Sequence, residues 1–242
     1  MRGFAIVQVI GTLVTILLAI IVWGLPLAPS IILFGEVSER FSGSGEWIRA
    51  CAMGIAISSG ILLWGIFLLL LSGTLQLLIH PRIEEEKSYP LASSMTIRWA
   101  ISGLLHRLTS PILIHLVPSF IGNWYYRLCG CKIGYGAQIN STVVNDSYAV
   151  EIGAETVVGG EAIINCHLVE GGRLVLSPVK IGSSVTIGGG ASILPGSIIG
   201  DNAIVAYHAV VIKRKKLEKV KCGVACLQRE FAEKLNAVYF IA

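Results

Sequence analysis

The chain has 242 residues, of which 54% are hydrophobic and only 14% are charged, and its mean hydropathy is +0.73. Soluble domains have a much lower mean hydropathy, so the composition predicts a membrane segment joined to a second domain. The net charge is +4, and much of it comes from the run Lys213-Arg214-Lys215-Lys216. That run is too short, and too poor in interleaved aromatic residues, to indicate nucleic-acid binding.

Two long uncharged runs open the chain, at residues 3–35 and 50–79. Each exceeds the roughly 20 apolar residues that a spanning helix needs. We therefore predict a transmembrane helical hairpin in residues 1–88, whose first helix ends or kinks at Pro26 and Pro29. The alternative, a cleaved signal peptide, is disfavoured because the first run is too long for a signal core.

Basic residues set the expected orientation of this hairpin, because Lys and Arg favour the cytoplasmic side. One side would hold Arg2, Arg82, Lys87 and Arg98, and the other Arg40 and Arg49. This bias predicts an integral membrane protein with both termini and the second domain on the cytoplasmic side.

Residues 89–130 are predicted to form amphipathic helices. Between Ser94 and Leu108 an apolar stripe recurs at helical spacing, with Ser102 and His106 largely off it. The stripe consists of Met95, Ile97, Ile101, Leu104, Leu105 and Leu108. A second apolar segment, 112–126, is interrupted by Pro118. Length and amphipathicity favour helices lying in the membrane interface over a third span.

A period of six residues dominates the region after these helices. A branched aliphatic residue recurs every sixth position, and a small or slim residue follows four places later. The aliphatic positions are Ile181, Ile187, Ile193, Ile199, Val205 and Val211. This hexapeptide repeat predicts an all-β, prism-like parallel β-helix over residues 131–213. Residues 214–242 would form a basic tail, in which 226–239 could be a helix that caps the last coil.

The same frame occurs upstream in broken form, led by Ile133, Ile139, Ile152, Val158 and Ile164, with Ala137, Val143, Thr156, Ala162 and Leu168 in the slim position. One extra residue before Ile152 predicts that 145–147 bulges outward. The pattern is lost between Val169 and Pro178, which predicts a loop. Specific chemistry is expected where a repeat scaffold is interrupted.

His167 ends the last regular hexad before that loop. Imidazole suits a general base near neutral pH, although a histidine at a turn is often only a solvated surface group. His208 occupies the same slot in an uninterrupted hexad and is interpreted as an interface or surface residue. Cys166 neighbours His167, but successive strand side chains point in opposite directions, so a Cys–His nucleophile pair is disfavoured.

Several segments of residues 151–211 match a known pattern: Cys166-His167-Leu168, Ser177-Pro178-Val179-Lys180-Ile181-Gly182, Ile193-Leu194-Pro195-Gly196 and Ile199-Gly200-Asp201. This region resembles the hexapeptide acyltransferases, including their sugar O-acetyltransferase branch. In that branch a catalytic histidine precedes an excursion, and the chain returns through a Pro-Val-Lys-Ile-Gly segment. The resemblance implies a left-handed parallel β-helix and acyl transfer.

A second set of segments comprises Tyr89-Pro90-Leu91, Arg98-Trp99, Asn123-Trp124-Tyr125-Tyr126-Arg127-Leu128, Lys132-Ile133-Gly134 and His167-Leu168-Val169-Glu170. These resemble the membrane-embedded C-terminal module of poly-lysine-synthetase-type nonribosomal peptide synthetases. Such modules join aminoacyl units delivered as carrier-protein thioesters. This chain lacks adenylation and carrier domains, so the resemblance implies acyl transfer from a thioester rather than peptide synthesis by this chain alone.

Both resemblances imply that His167 deprotonates an acceptor hydroxyl or amine, which attacks the thioester of an acyl-CoA or a phosphopantetheine-linked donor. Glu170 or Arg173 would orient His167 or the acceptor. In the family the pantetheine arm lies between neighbouring β-helices, where Gly188, Gly189, Gly190 and Ala191 would allow close approach. Lys213 and Arg214 would meet the CoA phosphates. The glycines and Ala191 could instead form tight coil turns. Lys213 and Arg214 could instead belong to a solvated or lipid-facing tail.

The sequence thus predicts a membrane-anchored acyltransferase acting on a lipid-linked sugar or similar acceptor. Its expected partners are membrane lipid, two further copies in a homotrimer and an acyl carrier protein. A non-catalytic trimeric scaffold is the main alternative. A zinc hydratase of the same fold would need three converging histidines, and no metal is expected. The cysteines show no metal spacing with histidine, although Cys129-x-Cys131 and Cys222-xxx-Cys226 could join in a metal site.

Overall fold

The computed structural model describes residues 2–83, 85–217 and 221–222. Helices dominate the first half of this region, and short strands dominate the second. The helices are α1, Arg2–Arg40; α2, Glu46–Ile79; α3, Ser94–Leu113; and α4, Phe120–Leu128, with strand β1, Lys87–Pro90, between α2 and α3.

Helices α1 and α2 form an antiparallel hairpin. Both are long and apolar enough to cross a membrane, over Gly11–Arg40 and Glu46–Ile79, so the prediction of two long apolar helices is confirmed. Of the two outcomes predicted at Pro26 and Pro29, an end of the helix is excluded, because α1 continues through both prolines to Arg40. Helices α1 and α2 approach closely where the Ser30 hydroxyl donates to the Gly60 carbonyl at 2.7 Å, and small residues allow such contacts.

Helix α3 packs antiparallel along the C-terminal half of α2. Three contacts, spaced by seven residues on each helix, fix this alignment: Arg98 with Ile79, Ser72 with Leu105, and Gly65 with Ile112. A helix aligned in this way shares the direction of α2. The predicted location of residues 89–130 in the membrane interface stays a prediction.

The buried face of α3 is more polar than its sequence pattern indicates. Ser102, His106 and Thr109 are buried, whereas Ile97 in the predicted apolar stripe is exposed. The neighbours explain the burial of His106 and Thr109, because both side chains form hydrogen bonds with the Tyr125 hydroxyl of α4 and His106 also bonds the Thr142 carbonyl of the β domain.

The β domain consists mainly of two-residue strands. In chain order they are β2, Lys132–Ile133; β3, Gln138–Ile139; β4, Val150–Ile152; β5, Val157–Val158; β6, Ile163–Ile164; β7, His167–Glu170; β8, Arg173–Leu176; β9, Val179–Ile181; β10, Thr186–Ile187; β11, Ser192–Ile193; β12, Ile198–Ile199; β13, Ile204–Val205; β14, Val210–Val211; β15, Lys216–Leu217; and β16, Lys221–Cys222.

Three parallel sheets form the faces of a prism. Their strand orders are β2-β4-β9-β12-β15, β3-β5-β10-β13-β16 and β6-β11-β14. Each regular coil takes 18 residues, as the pairing of Ile187 with Val205 and of Ile193 with Val211 shows. The aliphatic and slim positions of the hexads from Ile181 to Val211 are all buried. The predicted parallel β-helix of hexapeptide repeats is thus confirmed.

The β-helix continues beyond its predicted end. Leu217 pairs with Ile199, and Cys222 pairs with Val205. The basic run 213–216 is therefore a turn and the start of a strand rather than a tail, because Leu217 keeps the six-residue frame after Val211. The predicted capping helix at 226–239 lies outside the described residues.

The two interruptions of the repeat have defined structures. At the first, Val144 rather than Val143 takes the inward position, forming a bridge with Ile164, and the chain enters a short 3-10 helix, Ser147–Ala149. The second is a hairpin of β7 and β8, not an irregular loop. Its turn uses Gly171 and Gly172 at φ of 57° and 70°, the conformation that Gly-Gly hairpin turns require.

Strand β1 adds to the outer edge of this hairpin. It pairs antiparallel with β8, and Tyr89 lies opposite Leu174. Leu174 and Leu176 are buried in a small core with Ile83, against which Trp99 also packs. The segment between the two long helices and α3 is therefore built into the excursion sheet and joins the helical part of the chain to the β-helix.

Candidate active site

His167 lies where the β-helix passes into the hairpin. It is the first residue of β7, directly after Cys166, whose side chain points into the coil and is buried. The side chain of His167 is 27% exposed, so the imidazole is neither packed inside the prism nor fully solvated. The predicted candidate base thus lies at the edge of the coil, at the interruption.

Asp146 holds the imidazole of His167 in place. Its Oδ2 lies 2.5 Å from Nδ1 of His167, and its side chain is 3% exposed. The same carboxylate accepts the Cys166 backbone N–H and the Tyr148 hydroxyl, both at 3.3 Å. Three donors therefore satisfy a carboxylate that would be costly to bury alone.

This contact sets the tautomer of His167. A carboxylate can only accept, so the hydrogen lies on Nδ1, and the lone pair of a neutral ring lies on Nε2. Within the described residues Nε2 makes no hydrogen bond. A neutral imidazole with Nδ1–H bound to a carboxylate is the arrangement that a general base uses.

The geometry of the coil explains why Asp146 reaches His167. Val144 stacks on Ile164 in parallel register, and the Asn145 amide donates to the Asn165 side-chain oxygen at 2.6 Å. One residue further, Asp146 adopts φ of 58°, which turns its side chain toward the next coil. The predicted outward bulge therefore directs a carboxylate at the candidate base instead of into solvent.

A cavity of about 950 Å³ lies beside the His167–Asp146 pair. Helices α1 and α3 form one part of its wall, and the interrupted coil forms another. The indole of Trp99 contacts the imidazole, with ring centroids 4.8 Å apart and planes inclined by 60°. Trp99 thus covers part of one side of His167 and leaves the ring facing the cavity.

A buried polar network forms the inner end of this region. His106 Nδ1 lies 3.0 Å from the Tyr125 hydroxyl, and its Nε2 lies 3.0 Å from the Thr142 carbonyl oxygen. The Tyr125 hydroxyl also accepts the Gln76 amide at 3.0 Å. Burial lowers the pKa of His106, since the charged ring would lose its hydration. This histidine links α2, α3, α4 and the β-helix.

The residues predicted to orient His167 lie elsewhere. Glu170 and Arg173 face each other at the tip of the hairpin, three or more residues from His167 and on the order of 10 Å away along the strand. Glu170 binds the Lys213 ammonium at 2.7 Å, and Arg173 donates to the Ser88 hydroxyl and carbonyl at 2.8 and 3.0 Å. Neither contacts His167 within the described region, where Asp146 takes the orienting position.

The predicted glycine-rich donor segment lies at a coil corner. A side chain at Gly188 would collide with the backbone of Tyr207, 2.5 Å away, and Gly190 adopts φ of 64°. Ala191 is fully buried in the core, so its side chain does not face a groove. Tight stacking and turn geometry alone therefore account for Gly188, Gly190 and Ala191, while Gly189 is less crowded, with its nearest neighbour at 3.2 Å.

The two basic residues predicted to meet CoA phosphates are bound to carboxylates. Lys213 pairs with Glu170, and the Arg214 guanidinium makes two bonds of 2.6 Å to Glu86. These hydrogen bonds lower the pKa of both glutamates. A phosphate would have to displace a carboxylate from each cation, so the two side chains are placed to connect the last coils with the hairpin and the β1 segment.

The remaining sequence candidates lie apart from this site. His208 is at an exposed turn against Tyr207, consistent with its interpretation as a surface residue. Burial raises the pKa of the Cys166 thiol, and Cys129 and Cys131 are also buried. Among the described residues no group of three or more His, Cys, Asp or Glu side chains could hold a metal ion.

Sequence reasoning missed Asp146 and Trp99. The sequence did contain an indication of Asp146. The extra residue near 146 lies about one coil before the interruption at His167, and residues one coil apart stack on each other. No local pattern distinguishes Trp99, which reaches the site because α3 packs on α2 and the β-helix.

Residues 178–213 match the family model described as bacterial transferase hexapeptide, six repeats. The β-helix is a hexapeptide-repeat domain. No curated protein matches the chain. The resemblance to poly-lysine-synthetase-type modules is not confirmed by these comparisons.

Three solved structures illustrate the similarity of the hexapeptide-repeat chain to known proteins. A hexapeptide-repeat acetyltransferase from Vibrio cholerae is 20% identical over 63% of this chain and 83% of that chain, with a TM-score of 0.35. Galactoside acetyltransferase in complex with coenzyme A is 20% identical over 47% of this chain and 72% of that chain, with a TM-score of 0.32. Soybean serine acetyltransferase complexed with serine is 16% identical over 76% of this chain and 93% of that chain, with a TM-score of 0.26. Likenesses of this extent say nothing about the substrate.

Proposed function

We propose that this chain is a membrane-anchored acyltransferase that moves an acetyl or aminoacyl group from a thioester to a hydroxyl or amine. One observation carries the proposal: the Nδ1 of His167 is bound at 2.5 Å by the buried Asp146 carboxylate, and the ring lines a cavity. A histidine held in one tautomer beside an open space has the geometry of a general base. The match to a bacterial transferase repeat supports group transfer.

In the proposed reaction, Nε2 of His167 removes the proton of the acceptor as its oxygen or nitrogen attacks the thioester carbonyl. The carbon–sulfur bond then breaks, and the imidazolium returns the proton to the leaving thiolate. Asp146 stabilises the imidazolium between these two steps. Backbone N–H groups of the coil would bind the oxyanion, an effect worth about 3–4 kcal/mol per donor in other enzymes.

The donor is proposed to be acyl-CoA or a carrier-protein thioester, bound in a groove between hexapeptide-repeat domains of a homotrimer. In that assembly the corner at 188–190 would face the pantetheine arm. Lys213 and Arg214 would bind the donor phosphates only by exchanging Glu170 and Glu86 for them. The two apolar helices would anchor each subunit, with the β-helix on the cytoplasmic side as the distribution of basic residues predicts.

Radiolabelled acetyl transfer in membranes tests this proposal. His167→Ala should lower transfer from acetyl-CoA to membrane acceptors by about 10²- to 10⁴-fold, the usual contribution of a general base. His115→Ala is the control, because His115 is exposed and does not line the cavity beside His167, so this variant should retain full activity.

Undiminished transfer in His167→Ala would refute the base role. Absence of any acceptor labelling in the unaltered protein, together with a trimer of normal stability, would favour the scaffold hypothesis instead. Stoichiometric zinc in the purified protein would revive the hydratase alternative, whose histidines would have to come from neighbouring subunits.

A further inference from the structure

The cavity beside His167 opens between the first membrane helix and α3. Both helices run antiparallel to α2, so they run parallel to each other, and Trp23 of α1 is level with Leu108 of α3 because its indole donates to that carbonyl at 3.0 Å. Nine residues earlier on each helix, Val14 and Trp99 are level with each other. Both line the cavity, so α1 faces the imidazole of His167 across it.

The outer wall of this cavity is apolar and continuous with the surface of the apolar hairpin. Leu13, Val14 and Leu17 of α1 are 58–62% exposed, and Ile97 of α3 is 57% exposed. Gly11 and Val14 lie within the stretch Gly11–Arg40 that is long and apolar enough to span a membrane. A hydrocarbon chain lying between the two helices would therefore pass from the bilayer into the cavity without crossing water.

The inner wall is polar, with Asp146, His167 and the hydrogen-bonded pair of Asn145 and Asn165 at one end. The charged residues that line the cavity in the described region are Asp146, already bound to His167, and Arg107. Arg107 follows Trp99 by two turns of α3, roughly 12 Å along the axis. The cavity thus offers a cation for a negative group at a distance from the base.

From this polarity we propose that the acceptor is an anionic membrane lipid. Its hydroxyl or amine lies at His167, its acidic group lies near Arg107, and its apolar chain lies between α1 and α3. The inference rests on the proposed acyl transfer for the role of the hydroxyl or amine. The lipid site itself rests on the cavity, its apolar mouth and Arg107.

Photo-crosslinking tests the site without relying on activity. Gly103 lines the cavity, and a Cβ at this position would have nothing within 4 Å, so a benzophenone side chain fits there. Gly35 also has open space around it but lies on α1 away from the cavity, and it serves as the matched position. The full chain is reconstituted in vesicles of equal parts phosphatidylglycerol and phosphatidylcholine, and adducts are identified by mass spectrometry.

We expect the ratio of phosphatidylglycerol to phosphatidylcholine adducts at residue 103 to be about five times the bulk ratio, the effect of one nearby basic residue. Adducts at residue 35 should follow the bulk composition. Arg107→Gln should remove the enrichment at 103. Added acetyl-CoA should leave the lipid adducts at 103 in place.

Adducts at 103 with the bulk lipid ratio, no lipid adduct, or an adduct of CoA would each overturn the anionic-lipid assignment. The proposed chemistry fails separately if acetyl transfer is undiminished in His167→Ala. Gly103→Phe tests whether the lipid site serves the acyl transfer. Its side chain should fill the cavity and lower transfer to lipid at least tenfold, whereas Gly35→Phe should not. Equal transfer by both variants would place the acceptor elsewhere.

Discussion

Replacing Asp146 by Asn removes the negative charge that holds His167 and leaves the rest of the site unchanged. Asn matches Asp in shape and tolerates the left-handed conformation observed at this residue, φ of 58°. Its side-chain oxygen can accept the Cys166 N–H at the Oδ2 position, and its amide NH2 can donate to the Tyr148 hydroxyl at the Oδ1 position. The substitution therefore tests the charge and the tautomer of the pair rather than local folding.

The expected magnitude follows from the bond that is weakened. A hydrogen bond to a charged group contributes about 1.5–3 kcal/mol, and Asp146 provides this stabilisation to the imidazolium formed during transfer. At 1.36 kcal/mol per factor of ten, kcat should fall by about 10- to 150-fold.

Acetyl transfer to lipid-extractable acceptors, measured between pH 5 and 9, provides the assay. Glu161→Gln is the matched control, since Glu161 is also an acidic residue at a turn with φ of 58° but is exposed and does not line the cavity. If Asp146→Asn keeps at least half of the activity, or loses activity together with a lowered melting temperature, the orienting role assigned to Asp146 is incorrect.

Three further predictions concern stability and reactivity. Burial lowers the pKa of His106, so the unfolded chain binds a proton at this histidine more readily than the folded chain does. The folded state is therefore fully stable above about pH 6.5 and loses stability as the pH falls below that value. Melting temperatures measured from pH 8 to 5 should show this loss, and His106→Gln should make them depend less on pH. Gly153→Ala should destabilise the coil by about 1–3 kcal/mol because the new Cβ would lie 2.4 Å from the Gly182 backbone, whereas Gly160→Ala, with no neighbour closer than 3.6 Å, should melt like the unaltered protein. In detergent, a maleimide should modify the exposed Cys51 but not the buried Cys166, and rapid labelling of Cys166 before unfolding would contradict its placement in the core.

The six-residue period predicted the β-helix because each hexad shows the repeat pattern within its own six residues. From Ile181 to Val211, each short strand places one aliphatic residue inward, and this pattern depends on no distant part of the chain. The hairpin at 167–176 was missed because the loss of the six-residue frame was equated with the loss of structure. Gly171-Gly172 between two apolar strands was a hairpin pattern in its own right.

The site was only half predictable for a related reason. His167 could be found because it ends a regular hexad, but its partner Asp146 belongs to the preceding coil, and the contact depends on how one extra residue is accommodated. The sequence pattern predicted only that His106 lies largely off the apolar stripe of an amphipathic helix, and it gave no indication of burial. Tyr125 and the Thr142 carbonyl supply the hydrogen-bond partners that allow this side chain to be buried.

The placement of Trp99 and β1 indicates that the helical part of the chain completes the candidate site. The hexapeptide-repeat domain provides His167 and Asp146, but Trp99 of α3 covers the imidazole, and β1 fixes the hairpin that begins at His167. The cavity wall opposite the imidazole belongs to α1. A β-helix that served only as an assembly scaffold would have no need for a tryptophan on a partly exposed histidine or for a strand that follows the hairpin of apolar helices. The same contacts are required if the proton acceptor must meet a substrate that arrives from the bilayer.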